Sequence, residues 1–305
     1  GAGIVLVLVT SVSVRSGEAG RFEEEFSGLD RGKPVIFAAF SGGFLDFFEN
    51  WMCSLRMYGL TEDFQVVVLV MSGSRYPKLR QELHQPGRIL ILDGTHLANE
   101  GDAPSDFNSA PTLRIVKRRF LVLTHLLERG FTLLSMDTDT QFLQPFTAIP
   151  DPDQCDVAFS LDDEYRTLRR EHFDYQTKRP SMFNSGIFFM HSNPRTLKLM
   201  KEWNRANDIQ KGSNDQVVLQ GVIRHAEYRG EAKFVPLSSL AAQQTPHGGG
   251  PLRVCSVSPL HMVSGHFAFR HKDDLLTHSS QLRSVWTMHW NFLPKHAEKV
   301  EKLKT

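Results

Sequence analysis

The sequence predicts an α/β fold, a sheet flanked by helices, and three observations lead there. Short apolar runs bounded by turn residues alternate with stretches of helical period along most of the chain. The 305 residues are 41% apolar and 23% charged, enough for one large α/β domain or two small ones. The apolar run Phe131–Phe142 carries two aspartates, Asp137 and Asp139, where a buried parallel strand is expected to end.

Taken in order, Ile4–Val9 is too short to span a bilayer, which needs about 20 apolar residues. It reads as an edge strand or as the stub of a removed anchor or signal segment. A polar linker rich in Gly and Glu runs from Arg15 to Lys33. Pro34–Phe40 then reads as a strand, and Ser41, Gly42 and Gly43 as its turn. Phe44, Phe47, Phe48, Trp51, Met52, Leu55 and Tyr58 recur at three- and four-residue spacing, which predicts an amphipathic helix stopped by Gly59.

Gln65–Val70 and Arg88–Asp93 are further buried-strand candidates, with a helix at Pro77–His84 between them. The β-α-β-α-β alternation predicts a parallel, nucleotide-binding type of half-domain. Thr112–Arg129 follows as a helix ended by Gly130. Beyond the aspartates, Asp156–Leu161, Phe183–Met190 and Trp286–Trp290 read as strands. Asn193–Ala206 and Asp215–His225 read as helices, with Pro194 suited to the first turn of one and Asn214 to the cap of the other. Thr245–Pro251 is Gly-rich and reads as a mobile loop. No internal repeat is present.

A net charge of +1 gives no general attraction to nucleic acid, and the cluster Lys117, Arg118, Arg119 is too short to supply one. The three cysteines, Cys53, Cys155 and Cys255, lie far apart without a Cys-x-x-Cys pair. That argues against a structural zinc site or a disulfide framework, and at most one bridge can form. No Asn-x-Ser/Thr acceptor is present.

Residues i and i+2 of a strand point to one side, so Asp137 and Asp139 can share one divalent cation. Paired hard-oxygen ligands suit Mg²⁺ or Mn²⁺, which keep positions open for the oxygens of a diphosphate. The alternative is a solvated acidic turn. Three further pieces follow in fixed order: Asn184-Ser185-Gly186 in an apolar strand, Asn214-Asp215-Gln216 at a helix start, and His289 with Asn291, Lys295 and Lys299 near the C-terminus.

Together these pieces resemble a metal-dependent nucleotide-sugar glycosyltransferase of the GT-A fold. More narrowly, they are similar to the retaining nucleotide-diphospho-sugar transferases that include plant and protist α-xylosyl-, α-galactosyl- and arabinosyltransferases, carbohydrate-active family seventy-seven. The resemblance covers about Pro34 to Leu303 and includes Phe47-Phe48-Glu49-Asn50-Trp51. It implies a Rossmann-like mixed sheet flanked by helices in one catalytic domain, 34–305, preceded by residues 1–33 as strand or anchor stub plus linker.

The same resemblance implies the site. Asp137, Asp139 and His289 would hold Mn²⁺ or Mg²⁺ against the diphosphate, and Asp215, Gln216 and Asn184 would face the sugar as the catalytic group. Ser185 and Gly186 would lie beside the donor, Ser41 near the base or ribose, and Lys117, with Arg114 one turn before it, near the nucleotide. Lys295 or Lys299 would contact the diphosphate, although Pro294 stands where the relatives usually carry Gly, and Asn291 would be among the donor-binding residues. Asp162 and Asp163 are candidates for sugar or acceptor contact.

The implied reaction moves a sugar from a UDP-sugar or related donor to a hydroxyl of a glycan, protein or small molecule, with a Golgi lumenal location and an N-terminal membrane anchor in the full-length protein. Glycogenin-like and galactinol-synthase-like transferases share the aspartate pair and the C-terminal histidine and differ in acceptor. Two rivals remain. A silent glycan- or protein-binding module would keep the fold without turnover, and a phosphatase would use Asp137 as nucleophile, a pattern that Gln141 does not fit.

Overall fold

The structure is a computed structural model that describes residues 22–97, 110–146, 150–162, 182–210, 213–235, 250–257, 261–264 and 285–290. After a short helix α1 (Glu23–Phe26) come β1 (Val35–Phe40), α2 (Leu45–Met57), α3 (Leu60–Asp63), β2 (Gln65–Val70), α4 (Tyr76–Leu83), β3 (Ile89–Asp93) and α5 (Ala110–Glu128). They are followed by β4 (Leu133–Met136), β5 (Thr140–Phe142), β6 (Val157–Leu161), β7 (Phe183–Met190), α6 (Pro194–Ile209), α7 (Asp215–Tyr228), β8 (Ala232–Phe234), β9 (Leu252–Ser256), β10 (Met262–Ser264) and β11 (Thr287–His289).

Eight strands form one mixed sheet in the order β3-β2-β1-β4-β7-β6-β9-β8. β1, β2, β3 and β4 are parallel, and β7 runs against both β4 and β6. The strand order reverses between β1 and β4, which makes their carboxyl ends the place where an open α/β sheet gathers ligands. Because β7 is antiparallel, its first residues lie at that same end. A second sheet, β10-β11-β5, stands beside it.

Both faces of the large sheet are covered, which is why its central strands read as unbroken apolar runs. On one face Phe120, Leu123 and Leu127 of α5, Trp203 of α6 and Leu219 and Ile223 of α7 bury against Phe37, Leu133, Phe159 and Phe188. On the other, Phe48, Trp51 and Leu55 of α2 pack with Ile36, Phe40, Val68 and Ile187. Local chemistry sets the helix starts. Asn193 caps α6 in a reciprocal box with Thr196, and Asn214 Oδ1 accepts the Gln216 amide 2.8 Å away at the start of α7.

The structure departs from the sequence expectations in three places. The expected linker is partly core: Phe22, Phe26 and Leu29 are buried, and Arg80 and Arg129 pair with Glu25 and Glu23. Their spacing of four and three residues is an apolar helical stripe inside an otherwise charged segment. The strand expected to end at the aspartates is β4 (Leu133–Met136), and Asp137 and Asp139 lie beyond it in the connection to β5 of the second sheet, where Thr140 N donates to Asp137 O at 3.2 Å. They do not share a strand face. Strands β8, β9 and β10 carried no clear sequence signal; β9 hides behind Arg253, whose charge is buried against Asp156. The one bridge that the cysteines permit forms between Cys155 and Cys255, with Cα atoms 6.0 Å apart, while Cys53 is free and exposed.

No helix of the described residues is long and apolar enough to cross a membrane. Ile4–Val9 and Thr245–Gly249 lie outside the described residues.

Candidate active site

β4 delivers Asp137 to the reversal point of the sheet, and the turn after it folds back so that Asp139 follows at the head of β5. β11 pairs antiparallel with β5 and sets His289 opposite Thr140, and Trp290 N donates to Asp139 O at 3.0 Å. His289 Nε2 therefore stands 3.2 Å from Asp139 Oδ1 and 3.6 Å from Asp137 Oδ2. One ligand atom from each of the three residues lies within 4.8 Å of the others, a set of two carboxylate oxygens and one imidazole nitrogen that fits Mn²⁺ or Mg²⁺.

Gly186 on β7 faces this cluster. Its carbonyl accepts the Asp137 amide at 2.7 Å, and a Cβ built on it would collide with His289 Cε1 and Asp137 Oδ2. Only glycine leaves room for the three ligands to converge.

Arg119 binds the cluster together from behind. It is buried on α5 and donates through Nη1 to Asp137 Oδ1 (2.7 Å) and through Nη2 to Asp215 Oδ2 and to Ser185 O (both 2.9 Å). Trp203 Nε1 donates to Asp215 O at 3.0 Å, so Asp215 is held at both ends. Three carboxylates, Asp137, Asp139 and Asp215, thus gather around one guanidinium and one imidazole. Burial lifts the Asp137 carboxyl above its ordinary value, Arg119 and His289 pull it down, and the neighbouring Asp139 and Asp215 add to the rise. Two of these carboxylates and the imidazole are placed so that a metal ion could be held between them.

The amide group sits one step further along the sheet edge. Gly186 N donates to Asn184 Oδ1 (2.7 Å), Ser185 N to Gln216 Oε1 (3.2 Å), and both side-chain amides donate to Asp162. Asp137, Asp139, His289, Asn184, Ser185, Gly186, Asp215 and Gln216 are therefore brought into one connected patch. Ser41 is buried at the carboxyl end of β1, the neighbour of β4 in the sheet. Lys117 points elsewhere: its Nζ donates to Asn207 O (2.9 Å) near the end of α6, and Arg114 is exposed. Asn291, Lys295, Lys299 and Asp163 lie outside the described residues.

Sequence reasoning missed Arg119. Its signal was the helical period, because position 119 falls on the stripe made by Phe120 and Leu123, and a charge there must be paired or suffer a large desolvation penalty.

An open mixed sheet with an acidic, metal-competent cluster at its reversal point defines a class, the GT-A type of nucleotide-sugar glycosyltransferase. The sequence matches the nucleotide-diphospho-sugar transferase family over residues 64–303, and the chain belongs to that family. No curated protein matches it. Among solved structures it resembles the bifunctional glycosyltransferase WbbM (TM-score 0.51, 12% identity, covering 88% of this chain and 47% of that one). It also resembles glycosyltransferase GlyE of Streptococcus pneumoniae (0.47, 11%, 89% and 59%) and mouse xyloside xylosyltransferase 1 (0.48, 10%, 86% and 99%). At 12% identity the likeness to WbbM establishes the fold alone. The chain spans 59% of the length of GlyE. Fold and family agree on a nucleotide-diphospho-sugar transferase domain.

Proposed function

We propose that this protein is a divalent-cation-dependent, retaining transferase that takes a sugar from a UDP-sugar to a hydroxyl of a glycan, protein or small-molecule acceptor. The observation that carries the reading is the convergence of Asp137, Asp139 and His289 opposite Gly186. Mn²⁺ or Mg²⁺ bound there would neutralise the charge that builds on the departing nucleoside diphosphate.

The chain's own residues would do the rest. Arg119 fixes Asp137 and Asp215 in place. Asp215, Gln216 and Asn184 hydrogen-bond the donor sugar and orient its anomeric carbon, and Ser185 and Gly186 let the sugar approach the backbone of β7. Ser41, Asn291 and Lys295 complete the nucleotide and diphosphate contacts. The plant and protist α-glycosyltransferase family remains the proposed subfamily. The Cys155–Cys255 bridge favours an oxidising compartment, in keeping with a Golgi lumenal domain on an N-terminal anchor.

The test is nucleoside diphosphate release from a panel of UDP- and GDP-sugars with Mn²⁺ or with EDTA, beside Asp139→Ala. Metal-dependent release from one donor, lost in the variant, supports the proposal and names the sugar. Absence of both release and metal-dependent UDP binding overturns it.

A further inference from the structure

We propose that Asp162 is a positioning residue for the transfer: its single carboxylate fixes the orientation of both side-chain amides, Asn184 and Gln216, that face the donor. The inference rests on the reading above for the role of those amides, and on geometry for the rest.

Asp162 follows the end of β6. The register between β6 and β7 shifts between Phe159 and Leu161, and this irregularity brings Asp162 over the start of β7, where its amide donates to Met182 O at 3.3 Å. From there Oδ1 accepts Asn184 Nδ2 at 3.1 Å and Oδ2 accepts Gln216 Nε2 at 2.7 Å. The far ends of the two amides meet consecutive backbone donors of β7, with Asn184 Oδ1 on Gly186 N and Gln216 Oε1 on Ser185 N.

An ionised carboxylate can only accept hydrogen bonds, and a backbone N–H can only donate. Turning either amide over would set a carbonyl against the carboxylate and an NH₂ against an N–H, losing two bonds and creating two repulsions. Asp162 therefore decides which atom of each amide is left for a ligand: one N–H of Asn184 Nδ2 and one of Gln216 Nε2. One arm also reaches the metal cluster. Gly186 is held on its N–H by Asn184 and on its carbonyl by Asp137, so Asp162, Asn184, Gly186 and Asp137 form a continuous chain of bonds. Asp162 itself stands outside the Asp137, Asp139, His289 set and acts through these neighbours.

The test compares Asp162→Asn and Asp162→Glu with the wild-type full chain in two readouts. In the free protein, side-chain ¹⁵N–¹H resonances of Asn184 and Gln216, assigned from Asn- and Gln-labelled samples, report on the amides whether or not any donor is turned over. Asp162→Asn can accept from only one of them, so at least one NH₂ pair is expected to shift and to lose hydrogen-exchange protection, and Asp162→Glu to restore it. In turnover, Asp162→Asn is expected to lower kcat about 10–100-fold with KM for the donor and the melting temperature unchanged. Unchanged amide resonances in Asp162→Asn overturn the proposal. So does a kcat loss that follows the loss of folded protein and is not relieved by Asp162→Glu. A wild-type protein that turns over no donor, with the amide shifts present, counts against the proposed function and leaves the positioning role supported.

Discussion

Asp137 and Asp156 stand at opposite ends of the same sheet, each bonded to buried arginine, and their charge balance is opposite. At the carboxyl end of β4, Arg119 is shared by Asp137 and Asp215 with Asp139 close by, an excess of negative charge among the described residues. At the other end, before β6, the fully buried Asp156 lies between two arginines. Arg195 meets it through Nη2 at 2.6 Å and Nε at 2.9 Å, Arg253 through Nη2 at 2.9 Å, and Arg253 also donates to the carbonyls of Pro152 and Asp153.

The carboxyl groups respond accordingly. Burial raises Asp137 and its surplus of acidic neighbours adds to this, whereas burial of Asp156 is overcome by the arginine hydrogen bonds, which hold it at about 2. One cluster is complete and locks β6, β9 and α6 together. The other gathers ligand atoms that could hold a metal ion, and that sets it apart from a purely structural ion cluster.

The widest break in the comparison is Asp139→Asn. It removes a ligand and a surplus charge, so donor turnover is expected to fall on the order of 10³-fold while the apo protein melts no lower than wild type. Asp156→Ala should do the reverse, costing about 3–5 kcal/mol of stability in chemical denaturation because two arginines lose their partner, with the turnover of the folded fraction retained. Replacing Cys155 and Cys255 by Ser, beside Asp156, should cost about 2–4 kcal/mol in the same assay, again without a change in metal-dependent UDP affinity. Gly186→Ala forces its methyl into His289 and Asp137. A stability loss of about 1–3 kcal/mol should come with a much weaker Mn²⁺ affinity by calorimetry, an effect on both properties that marks the shared wall of the site.

The smallest effect is the pH dependence of Asp156. Its folded pKa is about 2 against an ordinary 3.8, so its contribution is fully present above about pH 4 and is lost as the pH falls through about 2. That amounts to about 2 kcal/mol. Asp156→Asn should flatten this part of the acid denaturation curve, and an unchanged curve would show that the arginines do not set the acid limit.

The two clusters were not equally legible. Asp137 and Asp139 stand out because they follow an apolar strand two residues apart, and His289 joins them only through the family resemblance. In sequence Arg119 is one of three adjacent basic residues, and only its place on the buried face of α5 sets it apart from Lys117 and Arg118. Asp156 was read as the first residue of a strand. Nothing nearby in sequence hinted at Arg253, 97 residues away, and β9 itself was missed for carrying that arginine.

The sequence alone determined the alternation of strands and helices, the starts of α6 and α7 and the paired aspartates, because period, turn chemistry and residue type act over a few residues. Only the tertiary structure decided that the aspartates lie in the connection between two sheets, that Gly186 is the wall that lets the ligands meet, and that two arginines on distant elements meet Asp156 while a single one is shared by Asp137 and Asp215. Those outcomes depend on which strands become neighbours and on how burial strengthens the demand for a partner charge, and neither is a property of adjacent residues.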